Sequence, residues 1–261
     1  MLFVTAAAVA CTYLINTRLQ GSALTTQDQR HTLRILTWNI GKLYHARWDS
    51  RASDDDLDHV AEVIRETDVH VVALQELKGP TQLGRLASML GGSWRSHVPE
   101  DVYDRRAGLL TRLPVEFVRL PTSSGRVAQG AVVTTPGGAK FAVSSVHLDA
   151  FDAERRLAQA EEILAGIQRL DVPDFVVAGD FNFDASVAAQ DSADQRLYQL
   201  LTREMADAGR RAGVTSLISR RLDYVFYHSA RVDTATAQVL KERRINIMDH
   251  DPLVVELALS R

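Results

Sequence analysis

The sequence predicts an α/β protein in which two mixed β-sheets pack face to face, with helices on the outer side of each sheet. Two observations predict this class. Apolar runs of strand length alternate with segments whose apolar residues recur at helical spacing. Some neighbouring strands are joined by hairpins and others are separated by helices, whereas a doubly wound parallel sheet needs a helix at each crossover.

Strands are predicted wherever a short apolar run ends at a turn signal or a polar residue. In chain order they cover 34–39, 69–74, 107–111, 115–120, 127–134, 140–146, 175–178, 223–227, 232–240 and 253–259. Pro136, Gly137 and Gly138 join two of these strands as a hairpin.

Helices are predicted over 53–64, 83–90, 153–170 and 195–205. The first has Ser53 as a candidate N-cap, followed by three acidic residues, and Gly91 closes the second. Leu157, Ala160 and Leu164 are spaced as on one face of a helix, which predicts the third.

The composition excludes several classes of protein. Of the 261 residues, 46% are hydrophobic and 24% are charged, which is typical of a globular chain rather than a disordered or collagen-like one. Cys11 is the only cysteine, so no intrachain disulfide or thiolate metal site can form. The net charge of −3 gives no support to generic binding of nucleic acid, although a local basic groove remains open.

The first thirty residues differ from the rest of the chain. Residues 2–15 carry no charge, but they fall short of the roughly 20 residues that span a bilayer. They favour a signal peptide or a short membrane anchor; lipidation at Cys11 and a buried N-terminal helix are the alternatives. We therefore expect a leader and polar spacer over 1–30, one domain over 31–261, and a protein that is exported or tethered to a membrane.

Polar residues stand at the ends of the apolar strands, where a rigid scaffold presents chemistry. They are Asn39, Glu76, His147, Asp180, Asn182, Asp249 and His250. This oxygen-rich set suits Mg²⁺ or Mn²⁺ better than Zn²⁺, and it includes no nucleophilic serine or cysteine motif. Such a site can hold a phosphate, deprotonate water with a carboxylate and stabilise the developing charge with His and Asn donors.

Six short motifs, in their order along the chain, resemble those of the endonuclease/exonuclease/phosphatase superfamily. They are Thr37–Ile40, Leu74–Glu76, Ser145–Leu148, Gly179–Asn182, Arg221–Tyr224 and Asp249–Pro252, and the stretch 106–115 also resembles a strand of that family. The resemblance covers residues 33–259. It implies a four-layer α/β/β/α sandwich and divalent-metal-dependent hydrolysis of a phosphoester.

The resemblance also implies a metal site. Glu76 is then the main metal ligand, Asn39 binds or orients beside it, and Asp249 supplies a further carboxylate on the metal side. The family commonly has a serine before the final Asp-His pair, and Met248 stands there in this chain. We expect that difference to alter packing slightly and to leave activity in place.

The remaining motif residues are implied to handle the phosphate and its protons. His147 and Asn182 would contact the scissile phosphate, and Asp180 would align or deprotonate the attacking water. His250 would donate to a phosphoryl oxygen or act as acid and base, with Asp223 accepting from its other ring nitrogen.

The substrate is expected to be nucleic acid or the head group of a phospholipid. Candidate cationic contacts lie at 105–106, 220–221 and 241–244, and we select Arg106 and Arg221 for substrate binding. Tyr44 and Trp48 could stack on a base or rest on lipid. We expect a monomer that associates with a membrane through residues 2–15. The alternative is a catalytically silent binding module of the same fold.

Overall fold

The computed structural model describes residues 31–41, 54–99, 106–120, 122, 128–243 and 250–260. Predictions for the leader, Cys11, Ser53, Tyr44, Trp48, Met248 and Asp249 therefore concern residues outside the described part of the chain. Within it, no helix is long and apolar enough to cross a bilayer.

The described residues form twelve strands, four α-helices and a 3₁₀ helix (Lys241–Arg243). The strands and helices, in chain order, are β1 (Thr32–Asn39), α1 (Asp54–Thr67), β2 (Val71–Leu77), α2 (Pro80–Leu90), β3 (Arg95–His97), β4 (Arg106–Thr111), β5 (Val115–Leu120), β6 (Ala128–Thr134), β7 (Lys140–His147), α3 (Ala153–Gln168), β8 (Phe175–Asp180), α4 (Ala193–Glu204), β9 (Ala206–Asp207), β10 (Asp223–His228), β11 (Val232–Val239) and β12 (Leu253–Leu259).

The strands form two six-stranded sheets. The first has the order β11-β12-β1-β2-β4-β3, and the second has the order β5-β6-β7-β8-β10-β9. In each sheet one pair is parallel, β1 with β2 and β7 with β8, while the other pairs are antiparallel. Both sheets are therefore mixed, as the sequence predicts.

Side-chain alternation along the strands builds three apolar layers. Ile35 lies in the core between the two sheets, whereas its neighbour Leu36 faces the opposite side and packs with Val60 of α1. On the second sheet, Val176 faces the inter-sheet core and Val177 packs on the side of α3 and α4. This arrangement confirms the predicted four-layer α/β/β/α sandwich. It also explains why the central strands are apolar on both faces.

Two short strands, β3 and β9, lie outside the sequence prediction. Both are at sheet edges and are only three and two residues long, so no apolar run marks them. The predicted strand at 69–74 is shifted, because β2 extends to Leu77, and β8 extends two residues further than predicted, to Asp180. Helix α4 begins at Ala193, where the Ser192 side chain caps it.

Candidate active site

The two parallel strand pairs bring the predicted site residues to one edge of the sandwich. Asn39 ends β1 and pairs with Gln75 of β2, while His147 ends β7 and pairs with Asp180 of β8. Asp223 begins β10 and lies opposite Asp180 in the antiparallel ladder. Because parallel strands end at the same edge, residues distant in sequence meet there.

Glu76 reaches this edge through an irregularity in β2. The β2–β4 register shifts between Leu74 and Leu77, where β2 contains one residue more than β4. Glu76 has a positive φ of 56°, which is uncommon for a residue with a side chain. Gln75 beside it is buried, and its amide donates to the Ser145 hydroxyl across the two sheets (3.2 Å). Because of the extra residue, the Glu76 side chain points towards His147, whereas the side chain of Gln75 is buried between the sheets.

Asp180 is the centre of the cluster. Its side chain is only 1% exposed. Its Oδ2 accepts a hydrogen bond from Asn39 Nδ2 (2.9 Å), and it lies 3.5 Å from His147 Nε2 and 3.7 Å from His250 Nε2. His147 Nε2 is also 3.9 Å from Glu76 Oε1. Two imidazoles and two carboxylates therefore converge on one small volume.

Asn39 orients both carboxylates. Its Nδ2 lies 3.4 Å from Glu76 Oε1 as well as donating to Asp180. The Gly41 backbone N–H donates to Asn39 Oδ1 (3.0 Å), and this bond determines which end of the amide faces the cluster. Asn39 thus contacts the carboxylates of both Glu76 and Asp180.

His250 and Asp223 form a buried hydrogen-bonded pair. His250 Nδ1 lies 2.7 Å from Asp223 Oδ2, and both side chains are almost fully buried. An ionised carboxylate can only accept, so the geometry places a proton on Nδ1. Nε2 is the ring nitrogen that faces Asp180, 3.7 Å from its Oδ2. This is the pairing that the sequence predicts for these two residues.

The backbone around His250 is held by contacts that the sequence does not signal. Trp38 Nε1 donates to the His250 carbonyl (3.2 Å), and Ser216 forms a β-bridge with His250. The Thr215 hydroxyl accepts from the Asp223 backbone N–H (3.1 Å), and its carbonyl accepts from the Asp251 N–H (2.7 Å). Trp38 lies in the motif Thr37–Ile40, but the family resemblance implies no role for it. Thr215 lies in none of the six motifs.

Asn182 reaches the site by a turn. Alternation along a strand would place Asp180 and Asn182 on one side, but β8 ends at Asp180 and Asn182 has a positive φ of 54°. Its backbone N–H donates to Asp180 Oδ1 (2.9 Å), and its side-chain amide donates to the Leu148 carbonyl (3.0 Å). Phe181 is buried in the core as expected.

Of the two predicted substrate-binding arginines, the described side chains include Arg221, which pairs outside the cluster. The Arg221 guanidinium pairs with Asp207 and lies 4.1 Å from the ring centre of Tyr224. These contacts give Arg221 a structural environment, so the substrate role has no geometric support. Arg106 begins β4, and its side chain is outside the described structure.

Asp184 is a buried carboxylate in the loop after β8 that no sequence motif marks. Its Oδ2 accepts from the Arg221 backbone N–H (3.1 Å), and its Oδ1 accepts from the N–H and hydroxyl of Ser186. Burial acts to raise the pKa of Asp184, but these hydrogen bonds together hold that pKa below its usual value. Asp184 therefore anchors the loop that follows β8.

The cluster has the chemistry of a cation site. Ligand atoms of Asp180, Asp223 and His250 all lie within 4.8 Å of one another. Asp223 Oδ1 is buried and has no hydrogen-bond partner within the described ranges. The Glu76 side chain is 26% exposed, so solvent reaches it. These donors fit a hard divalent ion. The sequence instead predicts Asn39, Glu76 and Asp249 as the metal side, and Asp249 lies outside the described residues.

Comparison with known proteins agrees with this fold. Residues 36–245 match the model of the Endonuclease/Exonuclease/phosphatase family. A curated relative is the UPF0294 protein VV2535 of Vibrio vulnificus strain YJ016, which is 24% identical over 257 residues, covering 92% of this chain and 82% of the relative.

Three solved structures are similar in fold. An endonuclease/exonuclease/phosphatase from Beutenbergia cavernae has a TM-score of 0.69 at 23% identity, covering 88% of this chain and 72% of that chain. The human Nocturnin catalytic domain with bound sulfate has a TM-score of 0.65 at 19% identity, with 89% and 95% covered. D. rerio TDP2 complexed with single-strand DNA product has a TM-score of 0.67 at 20% identity, with 87% and 98% covered. The chain therefore belongs to the Endonuclease/Exonuclease/phosphatase family and has a phosphoesterase fold.

Proposed function

We propose that this chain is a divalent-metal-dependent phosphodiesterase or phosphatase that hydrolyses a phosphoester by attack of water. The observation that carries the proposal is the convergence of His147 and His250 on the buried Asp180, at 3.5 and 3.7 Å. Structures similar to this chain hold a sulfate and a single-strand DNA product, and these ligands support an anionic phosphoester substrate. Nucleic acid and phospholipid-type phosphodiesters are the two substrate classes that fit.

Asp180 is assigned as the group that takes a proton from the attacking water. Asn39 and the backbone N–H of Asn182 each donate to a different oxygen of this carboxylate, and the two hydrogen bonds hold it in one orientation. A base held in one place removes part of the entropic cost of reaching the transition state. The water oxygen then bonds to phosphorus as the ester P–O bond breaks.

His250 is assigned as the group that protonates the leaving oxygen. Asp223 accepts from Nδ1 and stabilises the imidazolium, so that Nε2 can carry the second proton and donate it. His147 donates to a phosphoryl oxygen as charge develops there. After the ester bond breaks, Asp180 returns its proton towards His250, whose Nε2 is 3.7 Å away.

A divalent ion, when bound, neutralises negative charge on the phosphoryl oxygens. We assign Glu76 as its principal ligand. Hard ions prefer carboxylate oxygen to imidazole nitrogen, and His250 is already engaged by Asp223. A binding experiment tests this choice. Glu76→Gln should weaken Mg²⁺ or Mn²⁺ binding in calorimetry, whereas Glu116→Gln on the edge strand β5 should leave it within about twofold.

The test of function is turnover of bis-p-nitrophenyl phosphate by the purified full chain with Mg²⁺ or Mn²⁺, repeated with chelator. We expect turnover that chelator abolishes. Glu76→Gln and His250→Ala should each lower kcat by about 10² or more, since each removes a group acting on the transition state. Glu116→Gln is the matched control, because Glu116 is an exposed carboxylate on the edge strand β5.

Two results would count against the proposal. Turnover that survives chelator would remove the metal from the mechanism. A folded protein that binds the metal but turns over neither this substrate nor DNA, RNA or phospholipid would favour the silent binding module.

We further propose that the protein is a monomer and is exported or held at a membrane by residues 2–15. The uncharged run in the sequence supports this placement. Cell fractionation of the full chain, and light scattering of the purified protein, test the two statements separately.

A further inference from the structure

Exposed apolar side chains surround the edge of the sandwich that carries the cluster. In the ranges that the structure describes, the large exposed hydrophobic residues are Phe151 (87% exposed), Val187 (59%), Leu217 (56%) and Ile218 (66%). Phe151 follows β7, Val187 follows β8, and the other two precede β10. Exposed apolar residues are common singly, but these four all lie in loops that leave the sheet edge carrying the polar site.

Leu217 and Ile218 occupy the tip of a tight turn that is held beside the catalytic histidine. The Ser216 N–H donates to the Arg220 carbonyl (3.0 Å), which closes the turn, and Ser216 bridges to His250. Tips of tight turns usually carry Gly, Asn, Asp, Ser or Pro. Both side chains are more than half exposed and neither belongs to an apolar core cluster, so core packing does not account for them.

The loop that carries this tip is strongly basic. Residues 209–222 contain four arginines and no acidic residue, although the whole chain has a net charge of −3. Arg221 is paired with Asp207, whereas Arg210, Arg211 and Arg220 are exposed. An apolar tip flanked by exposed cations matches the surface of an anionic bilayer, which offers acyl chains beneath negative head groups.

We propose that this edge of the protein docks on an anionic membrane surface, with Leu217 and Ile218 inserted among the acyl chains. The inference rests on the proposed function and narrows its substrate to the head-group phosphoester of a membrane lipid. Nucleic acid fits less well. Single strands are bound by cations and stacking aromatic rings, whereas Phe151 is the one aromatic ring among these four exposed side chains and the tip itself is aliphatic.

The direct test uses fluorescence of the Leu217→Trp variant of the full chain with vesicles of phosphatidylcholine and phosphatidylglycerol. Brominated acyl chains should quench the new tryptophan and its emission should shift to the blue. Gln168→Trp is the matched control. It is exposed at the far end of α3, about 24 Å from the helix start at 1.5 Å per residue, and should not be quenched.

An absence of quenching at position 217, or quenching equal to that at position 168, would overturn the inference. Blue-shifted emission without vesicles would also overturn it, because another part of the chain would then cover the tip. Equal protection of this tryptophan by single-stranded DNA and by vesicles would favour a nucleic-acid surface instead.

A second arm separates this inference from the proposed function. The double change Leu217→Ser and Ile218→Ser should lower the ratio of vesicle-lipid turnover to bis-p-nitrophenyl phosphate turnover by about tenfold or more, because two large apolar contacts are lost. An unchanged ratio contradicts the membrane surface alone. Absence of metal-dependent turnover of both substrates by the parent contradicts the proposed function, whatever the fluorescence shows.

Discussion

Near the cluster, the backbone of β8 at Gly179 lies very close to the backbone of β7 at Val146. We therefore expect the substitution Gly179→Ala to lower activity strongly. A Cβ at this position would lie 2.0 Å from the Val146 carbonyl oxygen, whereas real Cβ atoms essentially never come closer than 3.0 Å. Strands β7 and β8 must therefore separate by about 1 Å or more. The obstacle is backbone, so no side-chain rotation relieves it.

This separation acts directly on the candidate site. Val146 pairs with Gly179, and the next pair in the ladder is His147 with Asp180. A 1 Å misplacement of reacting groups costs about 10²-fold in rate. We expect kcat for bis-p-nitrophenyl phosphate to fall by about that factor. The φ of 155° at Gly179 disfavours a side chain, which adds about 1–3 kcal/mol of destabilisation.

Gly138→Ala is the control that isolates the clash. Gly138 also has a positive φ, 86°, and it precedes β7, one of the two strands that the clash at Gly179 would separate. A Cβ at Gly138 meets no atom within 4 Å. This variant should lose stability and keep its kcat. Circular dichroism melts and kcat together decide the outcome. If Gly179→Ala stays folded with kcat within threefold of the parent, close approach of the strands does not position His147 and Asp180.

Three further predictions concern the groups around the site and the fold. Asp223→Asn should lower kcat about 10–100-fold with the melting temperature nearly unchanged, because an amide no longer holds His250 in one tautomer; unaltered kcat would contradict the pairing. His70 is buried beside arginines, and burial above all lowers its pKa to about 4. Its folded-state pKa lies below the unfolded value of 6.5, so unfolding free energy should fall by about 2 kcal/mol between pH 8 and pH 5. In denaturant titrations, the unfolding free energy of His70→Asn should not show this fall between pH 8 and pH 5. An equal fall in the variant would show that His70 is not its cause. Trp38→Phe leaves the His250 carbonyl without its indole donor and should cost about 1–3 kcal/mol in the same titrations; a change below a few tenths would show that water replaces the bond.

The sequence predicts the sheets and the identity of the cluster because both depend on local signals. Ile35 and Leu36 belong to an apolar run that only a strand covered on both faces can bury. Asp180 and His147 are polar residues at the ends of such runs, so they are recognisable without coordinates. The residue types and their positions at strand ends were sufficient to select residues that the structure brings together.

Strand pairing decided the geometry of the site, and pairing is not a local property. The one-residue bulge turns Glu76 towards the cluster, and its positive φ depends on the register of β2 against β4. Arg221 looks like a substrate contact in sequence, but the fold places Asp207 against it. In the same way, Trp38 holds the carbonyl of a residue 212 positions away.

The sequence by itself therefore determined the layers of the fold and which polar residues stand at the strand ends of the candidate site, because apolar periodicity and residue type are local. The tertiary structure alone decided which carboxylate each imidazole faces, which cations are already paired and which apolar side chains are left exposed around the site. Each of these depends on contacts between segments far apart in the chain, where small shifts in register change the partner of every group.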